Sequence, residues 1–157
     1  MLVTVSLLAD RPDAIAAVAD MRWREWGHPP GSEDPAWWHE ITLAEAGREQ
    51  LPVTFVAMND VGETLGAVGL DHYDLDERRE TTPWVTGMIV RSDLRNEGVG
   101  RLLMQHLEQW AAGHAIIDVW VGTELAAGFY QRCGWTLLEV FERGVDDHVS
   151  VLTKRMG

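Results

Sequence analysis

The sequence predicts an α/β domain in which helices cover one mixed β-sheet. The chain has 157 residues, of which 46% are hydrophobic and 24% charged, as is typical of a single globular domain. Short apolar runs rich in β-branched residues alternate with longer segments whose apolar residues recur at helical spacing. Glycine and proline stand between these segments, where turns are needed. These observations predict the element order β-α-α-β-β-β-α-β-α-β-β in one domain over residues 1–157.

The first 50 residues predict one strand and two helices. Residues 3–7 alternate apolar and polar side chains, as a half-buried strand does. A helix is predicted over about residues 14–26, because a proline lies near its first turn and a glycine follows its end. Ser32 or Asp34 can cap a second helix, which has a proline at its start and extends to about residue 46.

The rest of the chain predicts six strands and two more helices. Asparagine, aspartate and glycine at positions 59–62 separate two apolar runs, which predicts a hairpin. One helix carries an apolar stripe made of Val99, Leu102, Leu103, Leu107, Trp110 and Ala111. The predicted ranges are strands 52–58, 64–73, 83–90, 115–121, 135–141 and 148–153 and helices 98–112 and 124–133.

Composition excludes several classes of protein. The net charge of −12 argues against nucleic acid as a partner, since such binding needs Lys and Arg to neutralise phosphates. The single cysteine, Cys133, excludes an internal disulfide and a zinc site built from several cysteines. Residues 1–8 have no basic stretch before their apolar run, so no signal peptide is predicted. Because no uncharged apolar stretch approaches about 20 residues, we expect no membrane span and a cytoplasmic location.

The acidic charge is unevenly distributed. Residues 1–80 hold 16 acidic and 6 basic side chains, whereas residues 81–157 hold 9 acidic and 7 basic ones. An acidic half joined to a nearly neutral half indicates two different ligand surfaces. The alternative is a solvated acidic face that aids solubility.

A loop with two glycines between a strand and a helix is the most informative segment. Residues 88–103 pass from the end of a predicted strand through Gly98 and Gly100 into the amphipathic helix. The glycines let backbone N–H groups approach an anion, and the helix start adds unpaired N–H groups and the positive end of a dipole. Arg95 and Arg101 flank this loop. The segment therefore predicts a site for a pyrophosphate.

Two other nucleotide-binding motifs are excluded because the chain lacks the residue types that they require. The Walker loop ends in Gly-Lys-Ser/Thr, and the only lysine of this chain is Lys154. The dinucleotide fingerprint requires a third glycine at position 103, which is leucine here.

A second segment, taken together with the glycine loop, matches the sequence pattern of a known family. Thr123–Trp135 predicts a short helix and contains an alanine, a Phe-Tyr pair and a glycine followed by an aromatic residue. Together the two segments resemble the GCN5-related N-acetyltransferases (GNAT), and the resemblance covers about residues 52–155. Thr123 stands where that family usually has asparagine. The matching residues are Arg95, Gly98, Gly100, Ala126, Phe129, Tyr130, Gly134 and Trp135.

The resemblance implies a fold and a cofactor. The fold would be a mixed, mostly antiparallel sheet of about seven strands with four helices, whose fourth and fifth strands splay apart. Residues 1–50 would form the acceptor side and residues 51–157 the part that binds acetyl-CoA. The slot between the splayed strands would take the pantetheine, and Tyr130 would be the general acid for the departing thiolate. The cofactor-binding residues would be Met88, Ile89, Val90, Arg95, Asn96, Glu97, Gly98, Val99, Gly100, Arg101, Thr123, Ala126 and Phe129.

The acceptor side is less determined. Many members of the family place a carboxylate on the fourth strand, but residues 84–90 contain no acid or histidine. Asp71 and His72 are therefore the first candidates for the base. Several tryptophans and acids are candidates for contacting the acceptor, although packing between the two first helices also explains the tryptophans. These substrate candidates are Trp26, Glu33, Asp34, Trp37, Trp38 and Trp84.

The expected function is acetyl-CoA-dependent transfer of an acetyl group to a primary amine, by direct attack in a ternary complex. The acidic half of the chain indicates a small cationic acceptor. Two alternatives stay open: acetylation of a protein N-terminus or lysine, and a sensor that binds acyl-CoA without turnover. We expect no metal, no nucleic acid and no membrane as a partner. The sequence leaves the oligomeric state undetermined, with a homodimer as one alternative.

Overall fold

The structure is a computed structural model that describes residues 2–157. Within that range it has one seven-stranded sheet, four α-helices and three short 3-10 helices, in the predicted order. The strands are β1 (Val3–Leu7), β2 (Val53–Asn59), β3 (Thr64–Asp71), β4 (Trp84–Val90), β5 (Asp118–Thr123), β6 (Thr136–Gly144) and β7 (Asp147–Arg155). The helices are α1 (Ile15–Trp26), α2 (Pro35–Ala44), α3 (Val99–Gly113) and α4 (Ala127–Arg132), and the 3-10 helices are Leu8–Asp10, Pro12–Ala14 and Ser92–Leu94.

The sheet opens between its fourth and fifth strands. The strand order is β1-β2-β3-β4-β5-β7-β6, and neighbours are antiparallel except for β4 and β5. This parallel pair is joined only at Trp84↔Trp120 and Val85↔Val121 among the described residues. Beyond these two pairs β4 continues along β3 while β5 continues along β7. The expected fold class, including the splayed fourth and fifth strands, is confirmed.

Each face of the sheet is covered by different elements. Helices α3 and α4 cover one face, where Val85 and Val121 join a core with Leu103 and Tyr130. Helix α1 covers the β1–β4 half of the opposite face, and it packs on α2. The β3–β4 connection covers the other half of that face, because Leu75 is buried with Trp84, Val149 and Val151. The middle of β4 therefore lies between two covering elements on this second face.

Some predicted boundaries shift for local reasons. The predicted strand 115–121 begins only at Asp118, since Ala115 has a left-handed φ of 60° and Ile117 is exposed. The predicted helix 124–133 begins only at Ala127, because the Thr123 hydroxyl accepts a hydrogen bond from the Ala126 N–H and holds the preceding turn. Asp34, one of the two predicted caps, caps α2 by accepting from the Ala36 N–H.

Candidate active site

The opening between β4 and β5 leaves one edge of β4 unpaired. Where the two strands begin, the Trp120 N–H donates to the Pro83 carbonyl at 3.1 Å, and the pairing ends at Val85↔Val121. Ile89 and Val90 pair with β3 on one side, and on the side of β5 residues 88–90 have no ladder partner in the described chain. Backbone N–H and C=O groups on such an edge require other partners. The edge can therefore bind an extended ligand that carries amides, as pantetheine does.

The loop after β4 is shaped to bind an anion. Gly98 precedes α3 in the left-handed conformation with φ 88°, and no side chain caps the helix. The N–H groups of the first turn of α3 therefore have no intrahelical acceptor. A Cβ placed at Gly98 would meet no heavy atom within 4 Å, so the loop is open on that side. A helix of 15 residues with a free, open first turn fits a pyrophosphate.

The other residues of this loop have mixed roles. A Cβ at Gly100 would lie 3.2 Å from Phe129 Cζ, so this glycine permits close packing of α3 against α4. Arg101 donates from Nη2 to the Arg132 carbonyl at 2.6 Å and lines a shallow cavity of about 290 Å³ beside α3 and α4. Arg95 is exposed, and its guanidinium lies 3.9 Å from the Glu25 carboxylate at the end of α1. The exposed Arg95 is thus the freer cation of the two.

Tyr130 has a buried ring in the core cluster that contains Val85 and Val121, the last residues paired before the opening, and its hydroxyl makes no hydrogen bond within residues 2–157. Its ring packs edge-on against Phe129 and Trp135, with centroids 5.0 and 5.9 Å away. The oxygen retains some exposure, since Arg22 Nε is the one fully buried side-chain nitrogen or oxygen that lacks a partner in that range. Burial, followed by the nearby Cys133 and Asp74, raises the pKa of the phenol well above its usual value. The phenol therefore stays protonated and free to donate.

Thr123 and Ala126 stand at the end of β5, where the chain turns into α4. The Thr123 hydroxyl is already engaged by the Ala126 N–H at 3.0 Å. As an acceptor it has one lone pair left for a ligand.

We name as the cleft the region of the second face above the middle of β4, which is flanked by α1 and by the β3–β4 connection. A Cβ at Gly69 would lie 2.5 Å from Thr86 Oγ1, so the Thr86 hydroxyl lies over this glycine. Gly87 has φ 53° beside a break in the β3–β4 register, which marks a bulge. Its missing Cβ would be 3.9 Å from Arg22 Nε and 4.0 Å from Trp26 Cζ3 of α1. Small residues thus form the floor of the cleft, and α1 forms one wall.

Three carboxylates, from different elements, influence one another at this cleft. Asp71 ends β3, Asp74 lies in the β3–β4 connection and Glu45 follows α2. Loss of hydration raises the pKa of Asp74 to about 6; Arg143 opposes the shift, and the charges of Asp71 and Glu45 add to it. Water reaches Asp74, but enough protein surrounds the carboxylate to reduce its hydration. Burial also raises the pKa of Glu45, against the opposing charge of Arg22.

Arg22 is a buried cation that the sequence analysis did not single out. It is 3% exposed, and its guanidinium donates to Glu45 Oε1 at 2.9 Å, Thr42 Oγ1 at 3.3 Å and Thr54 Oγ1 at 3.4 Å. Burial lowers its pKa although Glu45 opposes the shift. The signal was present in the helical spacing, since Arg22 follows buried Val18 by four residues on one stripe of α1.

The predicted acceptor tryptophans divide into two groups. Trp26, Trp37 and Trp38 contact one another, with centroids 6.4 Å apart for Trp26–Trp38 and 4.9 Å apart for Trp37–Trp38. Trp37 is 44% exposed, so this cluster offers an aromatic surface. Trp84 is instead 0% exposed, and its indole N–H donates to the Thr81 carbonyl at 2.8 Å. Its ring therefore packs in the core and presents no surface to an acceptor in this fold, which corrects its assignment to the acceptor wall.

The remaining candidates lie near the surface. Glu33 and Asp34 are exposed before α2, where the Trp23 indole donates to the Glu33 carbonyl and Asp34 serves as the cap. His72 is exposed, and its carbonyl accepts from the Thr82 hydroxyl at 2.6 Å. Across residues 2–157 there is no group of three or more His, Cys, Asp or Glu arranged to hold a metal ion. No helix in that range is long and apolar enough to cross a membrane.

Comparison with known proteins identifies the family and the fold. The model of the acetyltransferase (GNAT) family matches residues 15–135. The structure is similar to an aminoglycoside 6'-N-acetyltransferase complexed with coenzyme A, with a TM-score of 0.76, 16% identity and coverage of 99% of this chain and 97% of that one. Aminoglycoside 6'-acetyltransferase type Ii gives a TM-score of 0.75 at 18% identity, with the same coverage.

A GNAT-family acetyltransferase from Streptococcus pneumoniae gives a TM-score of 0.73 at 17% identity, covering 99% of this chain and 100% of that one. No curated protein sequence matches the chain. At these identities the structural likeness shows a shared fold.

Proposed function

Since the chain belongs to the acetyltransferase (GNAT) family and is an N-acetyltransferase, we propose that it moves the acetyl group of acetyl-CoA to a primary amine of a small cationic molecule. The observation that carries this proposal is the unpaired edge of β4 leading directly to the open first turn of α3. An amide-bearing arm and a pyrophosphate need these two features at adjoining positions. The coenzyme A named for one structural neighbour supports the same ligand.

Three segments of the chain would contact different parts of acetyl-CoA. Residues 88–90 would pair with the pantetheine amides, and the backbone of residues 96–101 would hold the pyrophosphate, aided by Arg95. Thr123, Ala126 and Phe129 would line the thiol end. When bound, acetyl-CoA supplies an acetyl thioester whose acetyl group passes to the amine, releasing the thiol.

Tyr130 would supply the proton that the departing sulfur takes up. Its unbonded hydroxyl beside the β4–β5 opening is available as a donor. Because burial raises the pKa of this phenol, it is a weak acid towards an isolated thiolate. Donation is favourable only while negative charge develops on sulfur, when a directed O–H group lowers the energy of the transition state.

The acceptor would bind in the cleft on the second face. Glu45, Asp71 and Asp74 place negative charge there, and Trp26, Trp37 and Trp38 add aromatic surface that attracts a cation. The two neighbours named as aminoglycoside acetyltransferases support a polycationic acceptor. A primary amine with a pKa near 10.4 is neutral in only about 4 of 10,000 molecules at pH 7, so the cleft must also provide a base.

An acceptor screen tests the function. The purified chain is incubated with acetyl-CoA and a polyamine, an aminoglycoside, an acidic amino acid or a lysine-containing peptide, and release of the CoA thiol is followed at low and moderate salt. We expect turnover of the polyamine or aminoglycoside, with kcat/KM falling as salt screens the acidic cleft. Preference for the acidic amino acid or the peptide would contradict the proposed acceptor, and absence of thiol release with every acceptor would contradict the proposed transfer.

A further inference from the structure

We propose that Asp74 is the general base that deprotonates the acceptor ammonium, an inference that rests on the function proposed above. The reason is its position at the vertex where β4 and β5 separate. This site differs from the two base candidates that the sequence indicated, Asp71 and His72.

Leu75 fixes the position of Asp74 along the chain. A Cβ placed at Gly122 would lie 2.8 Å from Leu75 Cδ1, so the Leu75 side chain lies directly over this residue of β5. Gly122 follows Val121, the last residue of β5 that pairs with β4. Leu75 also packs with Trp84, the first residue of β4 in that pairing. The β3–β4 connection is therefore anchored at the point where the opening begins, and Asp74 immediately precedes the anchoring Leu75.

The titratable groups around Asp74 come from four parts of the chain. Asp71 of β3 and Glu45 after α2 raise its pKa, whereas Arg143 of β6 lowers it. Tyr130 of α4 is the fourth neighbour, because the charge of Asp74 adds to the rise in the pKa of the phenol. Arg143 is itself bound to Glu77, from Nε to Oε2 at 2.9 Å. Asp74 therefore lies within electrostatic reach of the proposed acid.

The proton transfer balances without another reactant. The carboxylate of Asp74 takes one proton from the acceptor's R–NH3+ group, so an N–H bond breaks, an O–H bond forms, and the nitrogen lone pair becomes free to attack. The carboxylic acid then returns its proton to solvent, to which Asp74 is exposed. A base is most effective when its pKa is close to the working pH. The raised pKa of Asp74, about 6, meets that condition.

The two earlier candidates fit less well. One oxygen of Asp71 already accepts a hydrogen bond from the His72 N–H at 2.6 Å. His72 is exposed, and its side chain has no hydrogen-bond partner among the described residues. Asp74 has no hydrogen-bond donor in the same range, so both of its oxygens are free for an ammonium.

The test compares Asp74→Asn with Asp71→Asn and with Asp76→Asn, which changes an exposed carboxylate in the same connection. For the wild type, kcat/KM should rise through pH 6 to a plateau. In Asp74→Asn it should fall about 100-fold at pH 7 and then rise with pH towards the pKa of the amine itself. A fluorinated analogue of the same acceptor, whose amine is neutral at pH 7, should restore most of the lost rate. Asp76→Asn should follow the wild type.

Three results would overturn the role of Asp74. The first is a kcat/KM that still rises through pH 6 in Asp74→Asn, and the second is loss of this rise in Asp71→Asn alone. The third is failure of the fluorinated analogue to restore the rate. A wild type that releases no thiol with any acceptor would instead overturn the proposed transfer, and this role with it.

A readout without turnover complements the kinetics. In protein labelled with ¹³C at the aspartate carboxyls, one resonance should titrate near pH 6 and disappear in Asp74→Asn. Titration of that resonance near the ordinary aspartate value of about 4 would contradict the proposal.

Discussion

Tyr130 shows how one side chain can have both a packing and a chemical role. Its ring is 3% exposed and packs with Phe129 and Trp135, which would be satisfied by a phenylalanine. The hydroxyl adds nothing to that packing, since it has no partner in the described chain. Because the ring is buried and little water reaches the hydroxyl, a ligand that accepts its hydrogen bond would replace hydration lost on folding.

Replacement of the hydroxyl separates these roles. Tyr130→Phe should leave the affinity for acetyl-CoA within about twofold, while kcat falls at least tenfold because a general acid contributes roughly 10²–10⁴ in rate. Tyr73→Phe is the matched control, since Tyr73 is exposed and stacks under Arg79 at 4.1 Å. A Tyr130→Phe variant with the wild-type kcat at saturating acceptor would assign the proton to water or another residue.

Gly98 allows charge to be tested separately from backbone strain. Its φ of 88° disfavours most side chains, but Asn and Asp tolerate this region, and the chain already places Asn96 and Asp146 there. A side chain at Gly98 would meet no neighbouring atom within 4 Å. Gly98→Asp and Gly98→Asn are therefore similar in shape and strain and differ in charge.

Calorimetry with acetyl-CoA should show at least tenfold weaker binding for Gly98→Asp than for Gly98→Asn, because a carboxylate repels the pyrophosphate. Equal affinities in the two folded variants would show that the loop does not hold the phosphates. Gly100 is a poorer test position, since Phe129 packs against it.

Helices α1 and α2 are held to the sheet by polar as well as apolar contacts. Arg22 of α1 reaches Thr42 of α2, Glu45 just after it and Thr54 of β2. This network joins α2 and β2 to α1, the helix that forms one wall of the acceptor cleft. Its loss should therefore affect the stability of the whole wall.

Glu45→Ala should lower the free energy of unfolding by about 3 kcal/mol, because it leaves a buried guanidinium without its counterion. The control is Asp20→Ala, which removes an exposed ion pair with Arg24 on the same helix and should cost less than about 1 kcal/mol. Urea denaturation measures both variants. A similar, small effect for the two would mean that Thr42 and Thr54 suffice to hold Arg22.

Across the whole molecule, the uneven charge of the sequence corresponds to the two ligand surfaces that we propose on opposite faces of one sheet. The acidic half supplies α1, α2, β3 and the start of the β3–β4 connection, which surround the cleft. The nearly neutral half supplies β4, the glycine loop, α3 and α4. A sheet that opens at one point allows a cation and an anion to approach the same vertex from different sides.

The features that could be predicted from the sequence are those specified by residues close together in the chain. The strand–glycine–helix segment and the Phe129-Tyr130 helix are short and contiguous, so residue type and spacing specify them. The element order followed from apolar periodicity and turn residues, whereas the splayed strands were implied by the family resemblance that these motifs carry. Boundaries near residues 115–127 were less accurate, because a left-handed residue at Ala115 and a hydroxyl cap at Thr123 act through single contacts.

The sequence by itself determined the fold class, the family and the position of the loop that we propose to bind pyrophosphate, because the motifs behind each of these consist of residues close together in the chain. Only the tertiary structure decided that Trp84 belongs to the core, that Arg22 is a buried cation and that Asp74 lies within electrostatic reach of Tyr130. These three outcomes depend on contacts between residues 20 to 70 positions apart, such as Arg22 with Thr54 and Leu75 with Gly122. Burial and pKa are set by the groups that surround a side chain, and the linear order of residues does not specify those groups.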